Sequence, residues 1–422
     1  MRKSFFLLLF YMCFIPSISW GVSIGLPFQE RNLPSEVIPV VEALQKEDYY
    51  KAAVLAEDLL KKDPKNKFAL AYLAAAYAGV GLDHKISTLL KQYQELAPQD
   101  TNIYLQVATT YLIKNRPQKA IQILEEAQKV NPNSASVLFL LAKLYDKNGQ
   151  YLKAISLLER GLQQESKNSE AKILLVKILI KVDQYEKAHD FLRKFLKLDP
   201  QNIDLKILEA RVLAFEGRLK EAQKIIISLH GTNKKSFWET KALVANLSGN
   251  LEEAFNAYQE ILKIDPNDLP TIINLALIYK RKGEWEKAAE LFEEALKKNA
   301  NIRPIYPQLI IIYTDYIPQP ERAQKLIKLA LQKFGNISDP QLFDAIGWYY
   351  YQNGKYDKAC YFFSKAADIQ KNALVLYHQG LCLEKLGQKE KARKKFKEAL
   401  NHSSSKGPLT QKIHQHLSKR QE

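Results

Sequence analysis

The chain has 422 residues, 46% of them hydrophobic and 26% charged, with a formal net charge of +16. That apolar share excludes a disordered chain. Gly and Pro number only 16 and 17, and Cys only 3, which excludes collagen-like, low-complexity and disulfide-built scaffolds and favours helices over many short strands.

At the N-terminus, Arg2 and Lys3 precede the unbroken apolar run from Phe5 to Ile15, and Pro16, Ser17, Ser19 and Gly21 follow. This is the three-part layout of a secretory signal. The run is shorter than the ~20 residues that span a bilayer. Residues 1–21 are therefore expected to be a signal cut after Ser19 or Gly21. An uncleaved inner-membrane anchor from Phe5 to about Val22 is the alternative. Either places the body of the chain outside the cytoplasm, whether in the periplasm, at an outer membrane or secreted. Residues 22–32 form a lead-in.

Beyond it the chain is punctuated by Asp63-Pro64, Ala97-Pro98, Asn131-Pro132, Asp199-Pro200 and Asp265-Pro266. These prolines lie 34, 34, 68 and 66 residues apart, and a fixed period of this size marks a repeat array. Small residues form two columns. One holds Ala120, Ala154, Ala222 and Ala288; the other, twelve residues earlier, holds Ala108, Ala142, Ala210 and Ala276 and continues as Gly347 and Gly380. Tyr77, Tyr111, Tyr145, Tyr279 and Tyr350 stand three residues past this second column. Gly81, Gly149, Gly217 and Gly283 mark a mid-repeat turn, and Leu124, Leu158, Phe292, Phe363 and Phe396 supply bulk beside the small residues. Each period thus holds two apolar runs at helical spacing, split by a Gly turn and closed by a Pro turn. One such pair cannot bury its apolar faces alone, so neighbours must stack.

The segments ALIYKRKGEWEKAAELFEEALKKN (276–299) and YYYQNGKYDKACYFFSKAA (349–367) carry the best copies of this pattern. With them the chain resembles the tetratricopeptide repeat family over roughly residues 33–405. The resemblance implies an all-α fold: a right-handed solenoid of about eleven helix–turn–helix units with a C-terminal capping helix. Units one to eight occupy 33–302, an irregular ninth unit 303–339, units ten and eleven 340–405, and a basic capping helix and tail 406–422. Ile86 departs from the small-residue column, and Leu179 and Leu213 from the Tyr column. Pro318 and Pro320 bar helix continuation, so a bend is expected around 315–340, dividing units one to eight from ten and eleven.

No Gly-rich phosphate loop, HExxH, GxSxG or CxxC occurs in the sequence, so no catalytic residue, cofactor or metal site is expected. His414 and His416, two apart on a helix, face different ways and read as a solvated polar tail. With the signal removed, Cys360 and Cys382 remain. Each lies eleven residues from the turn near residue 371, which puts them at one height on antiparallel helices, and the resemblance places both on the face between successive units. A disulfide is the candidate; two buried free thiols are the alternative.

Charge gathers in two places. Residues 373–422 hold eleven Lys and Arg against four acids, suited to contact with a membrane surface or to a solvated cap. By the resemblance, the first helix of each unit lines a concave groove. Lys143, Lys177 and Arg211 take the ninth position of three successive units, with Lys147 and Lys181 one turn further on. The expected function is an exported, non-enzymatic scaffold that holds protein or peptide partners, acidic ones included, in that groove. A component of an envelope assembly, polymer export or secretion machine is the alternative. Nucleic acid is not expected, because export argues against it and acids interrupt the basic residues.

Overall fold

The computed structural model describes residues 33–403 and 407–418; the expected signal and the lead-in lie outside the described residues. Those residues form 23 α-helices and no strand, and they divide after Ser248 into two compact units. The first unit opens with a 3₁₀ turn at Ser35–Val37. It continues through α1 (Ile38–Gln45), α2 (Tyr49–Lys62), α3 (Lys67–Val80), α4 (Asp83–Leu96), α5 (Asn102–Ile113), α6 (Pro117–Val130) and α7 (Ala135–Lys147). Then come α8 (Tyr151–Gln164), α9 (Ser169–Lys181), α10 (Tyr185–Leu198), α11 (Ile203–Phe215), the short α12 (Leu219–Ser228) and α13 (Lys235–Ser248).

Two kinds of turn alternate. At three of the Pro turns, the residue two past the proline caps the next helix. Asn66 accepts from the amide of Ala69, Asn202 from Leu205 and Asp268 from Thr271, each cap being worth about 1 kcal/mol. At the mid-repeat turns the backbone is left-handed, with φ of 85° at Gly81 and 72° at Gly149. Repeats lacking that glycine place Glu47, Asn115 or Asp183 there at φ 54 to 58°, a conformation that costs a residue with a Cβ roughly 1–2 kcal/mol.

Within the first unit, successive first helices touch: α3 packs on α5, α9 on α11 and α11 on α13. Comparable packing between successive second helices is not found among the described residues. First helices therefore form the inner layer and are apolar on nearly every side; α3 buries every residue from Ala69 to Ala78. Second helices are amphipathic, and α10 buries only Ala188, Leu192 and Phe195.

The small-residue columns sit where these helices cross. Ala108, Ala120, Ala142, Ala154, Ala210, Ala222, Ala276 and Ala288 are all fully buried. Ile86, which breaks the column, is buried too. At three repeats a tyrosine ties the repeat to the one before it. Tyr77 donates to Glu57 at 2.7 Å, Tyr145 to Glu125 at 2.5 Å and Tyr313 to Glu293 at 2.7 Å. Burial first, and then the carboxylate, push these three phenols up to about 12.

The second unit contains α14 (Leu251–Ile264), α15 (Leu269–Lys282), α16 (Trp285–Lys298), α17 (Ile305–Ile311), α18 (Pro320–Phe334), α19 (Pro340–Gln352), α20 (Tyr356–Ile369), α21 (Ala373–Lys385), α22 (Lys389–Asn401) and α23 (Pro408–Ser418). After α17 the chain continues as a π-helical turn, Ile312–Tyr316, and the amide of Ile317 donates to the carbonyl of Ile312. Tyr316 stacks on Trp285 with ring centroids 3.6 Å apart. Residues 303–339 lie inside the second unit. The last helix, α23, buries Ile413 against Phe396 and Ala399. His414 is exposed, but the solvated reading of His416 is corrected. Its ring is half-buried, stacked on Phe396 at 4.9 Å, with Nδ1 2.9 Å from the Glu384 carboxylate. One helical face of α23 is covered by the preceding pair, and His416 falls on it.

Where the inner small residue is glycine, contact is closest. A Cβ on Gly347 would stand 2.6 Å from the Phe363 ring. Gly347→Ala is expected to lower stability by about 1–3 kcal/mol, read as a lower urea midpoint for the second unit. An unchanged midpoint would show that the helices can part without loss.

Candidate functional site

The five groove cations lie on α7, α9 and α11, three successive first helices of the first unit. Their local sequence makes them helix-facing neighbours: Lys143 and Lys147 are one turn apart, as are Lys177 and Lys181. The structure then distributes them unequally.

Arg211 is the most enclosed. Its guanidinium donates to Thr240 Oγ1 at 2.9 and 3.1 Å and to Glu239 Oε2 at 3.2 Å, both on α13. With a side chain only 17% exposed, it fastens α11 to α13. Lys181 reaches back to α7, with Nζ 2.7 Å from Asp146 Oδ1. Lys143 reaches forward to α9 and meets Glu170 at 3.2 Å, but the Glu170 side chain is 85% exposed. Such a pair contributes about 0–1 kcal/mol and exchanges readily.

Lys177 differs from these. Among the described residues no carboxylate stands within ion-pair distance of it. Its side chain touches solvent on one side, while the surrounding inner layer withdraws water from the other. That desolvation, with repulsion from Arg211 next, holds its ammonium pKa below the ordinary lysine range. Lys147 is also pushed down, by burial first and then by Lys143. Lys177 is thus a cation of this face with no direct ion pair, attracted only by the more distant Glu239 and Asp204.

Lys280 on α15 in the second unit is a residue the sequence reading missed. It is half-buried, burial lowers its pKa, and its ammonium donates to the neutral Gln308 side-chain oxygen on α17. The run Lys280-Arg281-Lys282 looks like a solvated helix end. The available signal was register: Lys280 lies one turn beyond the fully buried Ala276.

In the second unit, Cys360 on α20 and Cys382 on α21 are joined as a disulfide, with Cα atoms 5.6 Å apart, inside the ordinary bridging range. The pair sits in an apolar cluster with Ala359 and Phe363, flanked by Trp348 and Tyr351. Among the described residues no group of three or more His, Cys, Asp or Glu is arranged to hold a metal ion. No helix there is long and apolar enough to cross a membrane. The basic C-terminal residues fall at the end of α21, on α22 and α23, and partly outside the described residues.

Comparison with known proteins agrees with this repeat geometry. Sequence models described as tetratricopeptide repeat match residues 179–247, 245–306 and 373–405. A model of the Psidin N-terminal TPR repeats region matches 35–153, and one of anaphase-promoting complex, cyclosome, subunit 3 matches 118–195. The chain belongs to the tetratricopeptide repeat family, and its fold is an all-α tetratricopeptide solenoid. Similar solved structures include the Cut9–Hcn1 hetero-tetramer of the APC/C (17% identity, 90% of this chain and 89% of that chain, TM-score 0.41). Yeast Tom70 is another (15%, 90% and 93%, 0.39). A third is YrrB, described as a TPR protein with an unusual peptide-binding site (18%, 43% and 95%, 0.35). No curated protein matches the chain.

Two outcomes are expected. Thiol titration of the purified chain under denaturing, non-reducing conditions should find neither Cys360 nor Cys382 free. Replacing both by Ser should lower stability by about 2–4 kcal/mol. For Lys177, the depressed pKa means that the native state disfavours its charged form. That penalty is complete below the native pKa and vanishes above the ordinary lysine value. Lys177→Met should therefore raise the denaturation midpoint slightly at pH 7, with the gain shrinking as pH rises through the alkaline range. A lower midpoint at pH 7 would contradict this.

Proposed function

We propose that this protein is an exported scaffold that binds acidic segments of partner proteins along the inner face of α7, α9 and α11. The observation that carries the reading is Lys177: a cation held on the inner layer of a preformed surface, partly desolvated and without an ion pair. An anionic side chain arriving there would restore the favourable environment that the folded chain withholds. Lys143 and Lys147 stand one repeat away and extend the same field. The Lys143–Glu170 pair is exposed enough for a ligand carboxylate to displace Glu170. Arg211 and Lys181 are assigned to holding repeats together. The support for export is the signal-like N-terminus together with Cys360 and Cys382, because lasting disulfides belong to oxidising compartments.

Acidic peptides should bind the purified chain with an affinity that falls as salt rises. Lys177→Glu combined with Lys143→Glu should weaken capture at least tenfold. Crosslinking and mass spectrometry on fractionated cells should recover the partner with the chain outside the cytoplasm. Undiminished capture by the double variant would refute the placement on this face, and recovery from the cytoplasm would refute export.

A further inference from the structure

A small cavity of about 130 Å³ opens in the first unit between the α1–α2 turn and α5. Its rim is exposed and carries Gln45, Glu47 and Ile113; its floor is made by Tyr49, Gln106, Thr109 and Thr110. Tyr49, Gln106 and Thr109 are only 5%, 2% and 2% exposed. Yet the Tyr49 hydroxyl, Gln106 Oε1 and Thr109 Oγ1 are buried atoms with no hydrogen-bond partner in the protein. Buried polar atoms are nearly always paired. Three residues that carry such atoms, from the first and third repeats, line this one cavity.

The remaining polar groups show which guest fits. Gln106 Nε2 already donates to Asn102 Oδ1 at 3.2 Å, and the Thr110 hydroxyl donates to the main-chain carbonyl of Gln106 at 3.1 Å. The Gln106 amide therefore presents its oxygen, an obligate acceptor. The Tyr49 and Thr109 hydroxyls can each donate or accept. At the mouth, Glu47 supplies one negative charge, and the Lys114 ammonium stands over the Tyr49 ring, 5.3 Å from its centroid. No ionised group lies on the floor, so a charged guest would be desolvated there without a counter-ion. Tyr49 is itself held in place by packing. Its ring lies across α3 where a Cβ on Gly79 would come within 2.1 Å of it.

We propose that this cavity is a binding site for a neutral primary carboxamide group, with the guest N–H donated to Gln106 Oε1 and its C=O accepting from the Tyr49 hydroxyl. The space suits one small organic group or a few waters. The carboxamide can belong to a small free amide or to an Asn or Gln side chain of a bound peptide. This site is separate from the α7–α11 face and stands whether or not that face binds a protein.

The test is saturation-transfer NMR on the whole purified chain with acetamide, N-acetyl-glutamine N-methylamide, methylammonium and acetate as separate probes. Acetamide should bind and both ions should not. Binding by the blocked glutamine as well assigns the site to a peptide side chain; binding by acetamide alone assigns it to a free amide. Gln106→Leu and Thr109→Val each remove an unpaired buried atom at nearly constant shape, so both variants should fold with no loss of thermal stability. Gln106→Leu should weaken acetamide at least tenfold. The proposal is overturned if neither amide binds, if either ion binds as well as acetamide, or if the folded Gln106→Leu variant binds undiminished. A high-resolution crystal structure soaked in acetamide that places only water in the cavity would also overturn it.

Discussion

Everything in this chain depends on how closely two helix axes can approach. Alanine at positions such as Ala142 and Ala154, and glycine at Gly347 and Gly380, remove the side-chain bulk that would hold the helices apart. Leu158, Phe363 and Phe396 then occupy the space beside each crossing. The arrangement is steric before it is hydrophobic: a Cβ at Gly380 would stand 2.3 Å from the Phe396 ring. Once two helices are this close, their remaining apolar faces are offered to the next pair. Stacking follows because an unstacked pair leaves those faces in water. The Tyr–Glu bonds at Tyr77, Tyr145 and Tyr313 add direction to that stacking, since each hydroxyl reaches the preceding second helix.

This steric rule explains why so much was legible in the sequence. Small residues at constant spacing, proline at the turn that closes each repeat, and glycine at the mid-repeat turn are local signals, and each maps onto one element. The misses are non-local. Glu170, Asp146 and Glu239, which neutralise three of the five groove cations, come from neighbouring repeats, where no short pattern links them to their partners. His416 was misread for the same reason, since Glu384 and Phe396 reach it from the preceding pair. Glu47, Asn115 and Asp183 took the glycine position without glycine, so composition alone could not flag those turns. The cavity behind the α1–α2 turn was illegible because residues from the first and third repeats must meet across the second.

The inner layer therefore does two jobs with one residue type. Cations such as Arg211 and Lys181 are consumed in joining repeats, whereas Lys177 is left to the surface. A basic ladder read from position alone overstates the charge offered to a ligand, because repeat stacking supplies carboxylates at the same spacing. What distinguishes Lys177 is that the carboxylates of the adjacent helices, Asp204 on α11 and Glu239 on α13, attract it without pairing with it directly.

The disulfide has a consequence for how the chain comes apart. In a stacked array each repeat is stabilised by its neighbours. The last pair, α21 and α22, has a full repeat on one side and only the single helix α23 on the other. Cys360 on α20 and Cys382 on α21 fasten the last pair to the one before it. A fluctuation that peels off the final repeat leaves it tethered beside its docking surface, and re-docking outpaces loss. The bond acts as a stop against unravelling of the stacked pairs.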